Sequence, residues 1–536
     1  MLKIGKRFWV MVFLCLGLLI SADTFAQQTC PAGSDCVPIR YAAWCHTRGG
    51  GCGLGSPSST CPEASGSPAG FRTYADDTAW SIQVFKACEG YVSGTASPGG
   101  PEALEDQGAW AEPISGHQRW DYSMVRADGS TRTLNSANGR SRSPYCLVGF
   151  SFFSGGNKAD LCQRQRPLIS PKNLGCCTSD NLGQMQGNPI NTGIGNKVQL
   201  EVDYAVAGSL PLDFKRTYNS LYSPYFSSFG GRWSSNYDRA VLASLRAGQV
   251  AVTRGGGKTF FFTMNSNVGV GDADVTDRLS RTVDSVGNIT GWEYLTSDDN
   301  VELYDTAGKL LSVTDRNGYS HFLMYSDVTT HHSIAPYPGL LIAVRDSWGR
   351  RIEFTYDGRS RLASFTDPAG GKVEYGYDAA GNLITRKAQD GFVRTYLYNE
   401  PEHRGSLSQP YALTGIVAED GVRYATFKYD NQGRAVSTEH AGGVEKVAVD
   451  YAADGSATVT DAAGAARTFT FTKKYDVIKL TSIKEPCPSC VGGTATRSIT
   501  LDANGFTNLS TDQAGTTIDS DRDARGLEFR RIESAN

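Results

Sequence analysis

At 536 residues the chain is long enough for several domains, and its 60 glycines and 25 tyrosines suit a turn-rich β protein. A net charge of −3 supplies no basic field, which argues against a nucleic-acid partner. Beyond the first residues, no stretch offers the roughly 20 apolar residues that a membrane-spanning helix needs.

Met1 to Ala26 reads as a secretory signal. Lys3, Lys6 and Arg7 form a basic start, Phe8 to Ile20 an apolar core, and Thr24-Phe-Ala26 a small-residue cleavage site. The expected mature chain is exported, secreted or at the cell surface, with no membrane span left. Of 13 cysteines, Cys15 lies in the signal, and ten cluster as Cys30, Cys36, Cys45, Cys52, Cys61, Cys88, Cys146, Cys162, Cys176 and Cys177. Such density in an exported segment predicts a disulfide-rich N-terminal region over 27–180, with its connectivity open. His46 beside Cys45 is too little for a zinc site. Trp44, Trp80, Trp110 and Trp120 are expected as core anchors there, with glycan binding the alternative.

Residues 187–283 form the next expected domain. Strand alternation is clear in Lys197-Val-Gln-Leu-Glu-Val202 and Leu212-Asp-Phe-Lys-Arg-Thr-Tyr218. From 284 to 536 runs a ladder of Asp-x-x-Gly units beginning at Asp284, Asp305, Asp315, Asp346, Asp367, Asp378, Asp430, Asp461, Asp502, Asp512 and Asp523. Each falls within a residue of a frame of about 10.4 residues, 23 steps from first to last. Asp suits the first position of a tight turn, and Gly the fourth, where φ turns positive. Tyr precedes several of these aspartates, as at Tyr304, Tyr377 and Tyr429. One strand plus one turn per step predicts an antiparallel meander of about 23 strands. The last, near Leu527 to Ile532, is expected to be an unpaired edge that recruits another strand.

Three stretches carry a family resemblance: Gly187-Asn-Pro189, Pro211-Leu-Asp-Phe-Lys-Arg-Thr-Tyr-Asn-Ser220 and Gly231-Arg-Trp-Ser-Ser-Asn-Tyr-Asp238. They resemble the N-terminal domain of Rhs and wall-associated proteins, and the Tyr-Asp ladder resembles the Rhs (YD) repeats that follow it. The resemblance covers about 187–536. It implies an all-β sheet curling into a partial Rhs-type shell, a scaffold of the kind that encloses a toxin in contact-dependent competition. Toxin cargo or a downstream polypeptide would be the partner. Toxin-bearing members end their repeats in a core rich in Asp-Pro-x-Gly. Here Asp367-Pro-Ala-Gly370 sits mid-ladder, so no cleavage role is carried to any residue.

Other candidates read as structural. Cys487-Pro-Ser-Cys490 is expected to be a local disulfide rather than a redox pair. Asp519, Asp521 and Asp523 open like a calcium loop, but Ala524 and Arg530 stand where Gly and an acid are needed. Asp272, Asp274 and Asp277 fail the same test. His331-His332 reads as a solvated loop. Gly255-Gly-Gly-Lys-Thr259 lacks the first glycine of a phosphate loop, because Val252 stands there, and reads as a hairpin turn. No residue is assigned a catalytic, cofactor-binding or metal-binding role. The function that follows is a non-enzymatic exported scaffold. The alternative is a carbohydrate-binding adhesion protein using rows of Tyr and Trp, with a cell-surface glycan as partner.

Overall fold

The structure is a computed structural model. It describes residues 170–175, 182–222 and 227–534, except 247 and 524, and separate strand segments between 34 and 165. The signal and the side chains of the ten clustered cysteines lie outside the described residues, as do Trp44, Trp80 and Trp110. Trp120 falls on the strand Ser115–Arg126.

The described chain is almost entirely strand. Residues 185–235 form a small five-stranded sheet, Met185–Gln186, Ile190–Asn191, Asn196–Tyr204, Phe214–Asn219 and Trp233–Ser235. From Ala240–Arg246 to Glu528–Ser534 every strand pairs with its sequence neighbour in one antiparallel sheet of 26 strands. That sheet passes 283/284 without a break.

The Asp-x-x-Gly turns form as their chemistry dictates. In all eleven units the glycine N–H donates to the aspartate carbonyl at 2.9–3.2 Å, and the glycine φ lies between 74° and 91°. The aspartate side chain caps the turn: Asp367 Oδ1 accepts from Ala369 N at 2.8 Å and Gly371 N at 2.9 Å. Other turns depart from the sequence pattern, among them Thr296–Asp299, where Asp299 itself sits at φ 60°. Ala388–Gly391, Ala418–Gly421 and Ala452–Gly455 keep the glycine but carry their aspartate third, and in Asp357–Ser360 a serine takes the left-handed position.

The strand count differs from the frame. Between Asp284 and Asp523 lie 20 strands rather than 23. One step is lost to the excursion 326–340, one to 399–412, and one to the long strands Ala466–Lys474, Val477–Pro486 and Thr494–Leu501. A loop of suitable length keeps the frame without adding a strand.

Turns alternate between the two ends of the sheet, and the tyrosines mark one end. Tyr325, Tyr356, Tyr377, Tyr398, Tyr429 and Tyr451 each close a strand there. Each hydroxyl donates to a carbonyl 15 or 16 residues back, at Leu310, Leu341, Leu362, Leu383, Leu413 and Ala435, over 2.7–2.8 Å. The cation at the fifth turn position stacks on the next tyrosine: Arg361 lies 4.2 Å from the Tyr377 ring and Arg434 4.4 Å from Tyr451. These tyrosines clip each Tyr-Asp turn to the one before it.

The sheet winds around the small domain, which plugs it. Leu212, Phe214, Phe229 and Trp233 are fully buried against inner-face residues such as Ile352, Phe365 and Tyr396. Phe214 packs 5.0 Å from Phe365, and Trp233 5.2 Å from Tyr396. The sheet then comes full circle. Lys479 reaches Asp274 at 3.4 Å and Arg525 reaches Asp299 at 3.5 Å, so turns at the tyrosine end of late strands rest on opposite-end loops of early ones. A second winding thus begins on top of the first. Its last strand, Glu528–Ser534, pairs on one side only and all seven residues are exposed, as an edge strand would be.

Gly381 and Gly433 have φ of 90° and 77° and no atom crowding the Cβ position. Gly381→Val and Gly433→Val should each cost roughly 1–3 kcal/mol through backbone strain alone. Lowered thermal midpoints in both variants are expected, and unchanged midpoints count against the turn assignment.

Candidate functional site at the plugged mouth of the winding

The chemistry-bearing side chains gather where plug meets wall. Arg216, on Phe214–Asn219, is completely buried. Its guanidinium sits 5.2–5.9 Å from the rings of Phe229, Trp233, Tyr375 and Tyr396. Asp203 pairs with it through Nε and, at 2.8 Å, Nη2. Tyr375 Oη donates to the same carboxylate at 2.6 Å, and Arg386 Nε at 3.3 Å. Burial opposes ionisation of Asp203, but Arg216 and these hydrogen bonds outweigh it and hold the pKa below the usual range. Asp203 also lines an open cleft of about 500 Å³ with Phe365, Asp367, Gly371, Arg386 and Gln389.

A second buried cluster lies nearer the start of the wall. Glu302 accepts from Arg254 at 2.5 and 2.6 Å, from Arg239 at 2.5 Å and from Tyr304 Oη at 2.5 Å. Burial alone would raise its pKa; the two arginines reverse that and hold it down to about 2. Lys197 is buried without an opposite charge beside it, as Asp238 is, which accepts from Ser228 and Ser235 instead. Lys197 has no carboxylate in contact, donates to Val198 O and Gln199 Oε1, and rests 4.2 Å from the Phe427 ring. Burial pushes its pKa well down.

These networks are tie-points. Every charge in them but Lys197 has an opposite charge fixed beside it, although Arg216 Nη1 has no hydrogen-bond partner, and no nucleophile stands beside a base in them. Neither cluster was singled out from the sequence, since residues 203 and 216 meet 386 only after the sheet has wound.

The residues weighed from the sequence scatter. Cys487 and Cys490 are disulfide-bonded in the loop after Val477–Pro486. Asp519 bonds Asn508, Asp521 pairs with Arg530, and Asp523 caps its turn. Asp272 and Asp274 bind Lys172, and Asp277 accepts from Tyr294 Oη. The rings of His331 and His332 lie 4.3 Å apart, tilted by 32°, on an exposed loop. Gly255–Thr259 is the hairpin turn between Gln249–Thr253 and Thr259–Asn265. Tyr304, Tyr356 and Tyr429 are buried, so they offer no row to a sugar. Sequence reasoning passed over Glu400, Glu402 and His403, whose ligating atoms lie within 4.8 Å of one another. The run Glu400-Pro-Glu-His403 was the available signal, but both Glu400 oxygens are taken by Arg423 at 2.8 Å.

A plugged, wound wall of Tyr-Asp hairpins defines a YD-repeat β-shell. Residues 356–393 match the family model RHS Repeat, and residues 187–262 match a domain of unknown function, DUF6531. Together the two matched stretches support the Rhs/YD-repeat family for this chain. It is 23% identical over 288 residues to the double-stranded DNA deaminase toxin A of Burkholderia cenocepacia (strain H111), a match covering 49% of this chain and 19% of that protein. Among solved structures it is similar to TcdB2-TccC3-Cdc42, at 10% identity and TM-score 0.30, covering 78% of this chain and 26% of that one. TcdB2-TccC3 without its hypervariable C-terminal region is similar at 10% identity and TM-score 0.24, covering 86% and 28%. The chain thus spans about a fifth of the curated relative.

Two predictions follow from the buried charges. Asp203→Ala leaves Arg216 uncompensated and should cost roughly 3–5 kcal/mol in thermal or denaturant unfolding. Glu302 has a folded pKa below its ordinary 4.5, so its contribution is complete above that pH and fades as pH falls toward about 2. Glu302→Gln should lower stability at pH 7 and flatten the acid limb between those values. An unaltered acid limb would show that the cluster does not supply it.

Proposed function

We propose that this chain is an exported, non-enzymatic YD-repeat scaffold, a wound β-wall that shelters or presents another polypeptide. The observation that carries the reading is the return of the sheet onto itself around a plug, which leaves one mouth filled and the final strand open. Export rests on Met1 to Ala26 and the cysteine cluster. The partner in this reading is a toxin cargo or a downstream polypeptide, in keeping with the toxin named among its relatives. That relative's deaminase activity is not carried over.

An open strand recruits another strand. Phe529 and Ile532 give Glu528–Ser534 apolar exposure, while Arg530 and Arg531 guard it only in part. The purified mature chain should self-associate, or bind a partner there, in light scattering at micromolar concentration. A stable monomer whose 528–534 amides resist exchange would overturn the reading of this edge.

A further inference from the structure

The place where the second winding meets the first is held by a segment belonging to neither. Ser170–Gly175 packs between the early loop 271–277 and the late hairpin that joins Ala466–Lys474 to Val477–Pro486. Lys172, Asn173 and Leu174 are buried there. Lys172 Nζ donates to Asp272 Oδ2 at 2.8 Å, Asp274 Oδ1 at 2.6 Å and the Tyr475 carbonyl at 2.9 Å. Asn173 Nδ2 donates to the Asp476 carbonyl at 2.9 Å, and its Oδ1 accepts from Ile478 N at 2.7 Å. Lys479 completes the cluster, reaching Asp274 at 3.4 Å and the Gly505 carbonyl at 2.8 Å. Two cations thus face two carboxylates across the seam.

The hairpin needs this support. Tyr475 and Asp476 both sit at positive φ, 49° and 62°, without being glycine. Such residues persist only where their surroundings hold them. Lys172 and Asn173 capture the carbonyls of both strained residues. The other ion pair across the seam is peripheral: Arg525 meets Asp299 with both side chains about half exposed, a pair worth little in water.

We infer that Ser170–Gly175 is a latch that sets the closure of the winding, and that release of Lys172 opens the seam between the two turns. In sequence the latch lies between the cysteine cluster's first eight members and the plug. The latch goes beyond the scaffold reading and fails separately from it, because a wall without a latch is still a wall.

Hydrogen exchange on the full chain tests it. Lys172→Met keeps the stem and removes the charge. Exchange over 272–277 and 475–479 should rise roughly tenfold or more, while 362–377, on the far side of the sheet, stays unchanged. Lys172→Arg should preserve protection. If Lys172→Met does not fold, Asp272→Ala, which removes one half-exposed partner of Lys172, should give a smaller rise at the same two segments. Unchanged exchange at the seam, or an equal rise at 362–377, overturns the latch.

Discussion

A buried arginine is the fixed point of this fold. Arg216 carries a full charge where no water reaches, and the protein meets that cost with Asp203, two tyrosine hydroxyls and four aromatic rings. The carboxylate and two of the rings, Phe229 and Trp233, come from the plug, and both hydroxyls and the other two rings from Lys372–Tyr377 and Val393–Tyr398 on the wall. The charge is therefore satisfied only when wall and plug are in register. A buried ion pair adds little net stability over apolar packing, but removing one partner is expensive. Such a contact selects one way of wrapping the sheet among many that hydrophobic burial alone would accept.

The wall has its own rule of assembly. A two-stranded hairpin is marginal in isolation, and each unit here leans on the one before. The tyrosine hydroxyl satisfies a carbonyl one repeat back, the turn cation covers the next tyrosine ring, and the leucine at that carbonyl is mostly buried beneath. Stability in such an array is close to a sum over neighbouring units, as in other repeat proteins. Curvature follows from strand twist, since a sheet this long cannot stay flat. The plug decides the radius at which it curls.

The aspartate and glycine ladder was legible because its chemistry is local. A positive φ at the fourth turn residue and an aspartate capping N–H groups two and four residues on depend on nothing distant, and all eleven units formed as read. The strand total was less legible. The excursion 326–340 is close enough to a repeat in length to hide within the frame, and nothing in it marks Ser326 rather than Asp as the turn residue. Tyrosines precede several of the aspartates in the sequence, but the carbonyls their hydroxyls meet, 15 or 16 residues back on the neighbouring strand, have no sequence signature. Glu302 looked like one more strand glutamate until the wall placed Arg239 and Arg254 beside it.

From residues alone came the all-β class, the turn chemistry, the family resemblance and the exposed final strand, because each rests on short-range periodicity and backbone preference. Tertiary structure alone decided that the sheet closes on itself, that Asp203 and Arg216 meet the wall, and that Lys172 bridges loops 100 and about 300 residues away. Those facts depend on the accumulated twist of many strands around a plug of particular width. Twist accumulates in space, and no single residue or spacing records its sum.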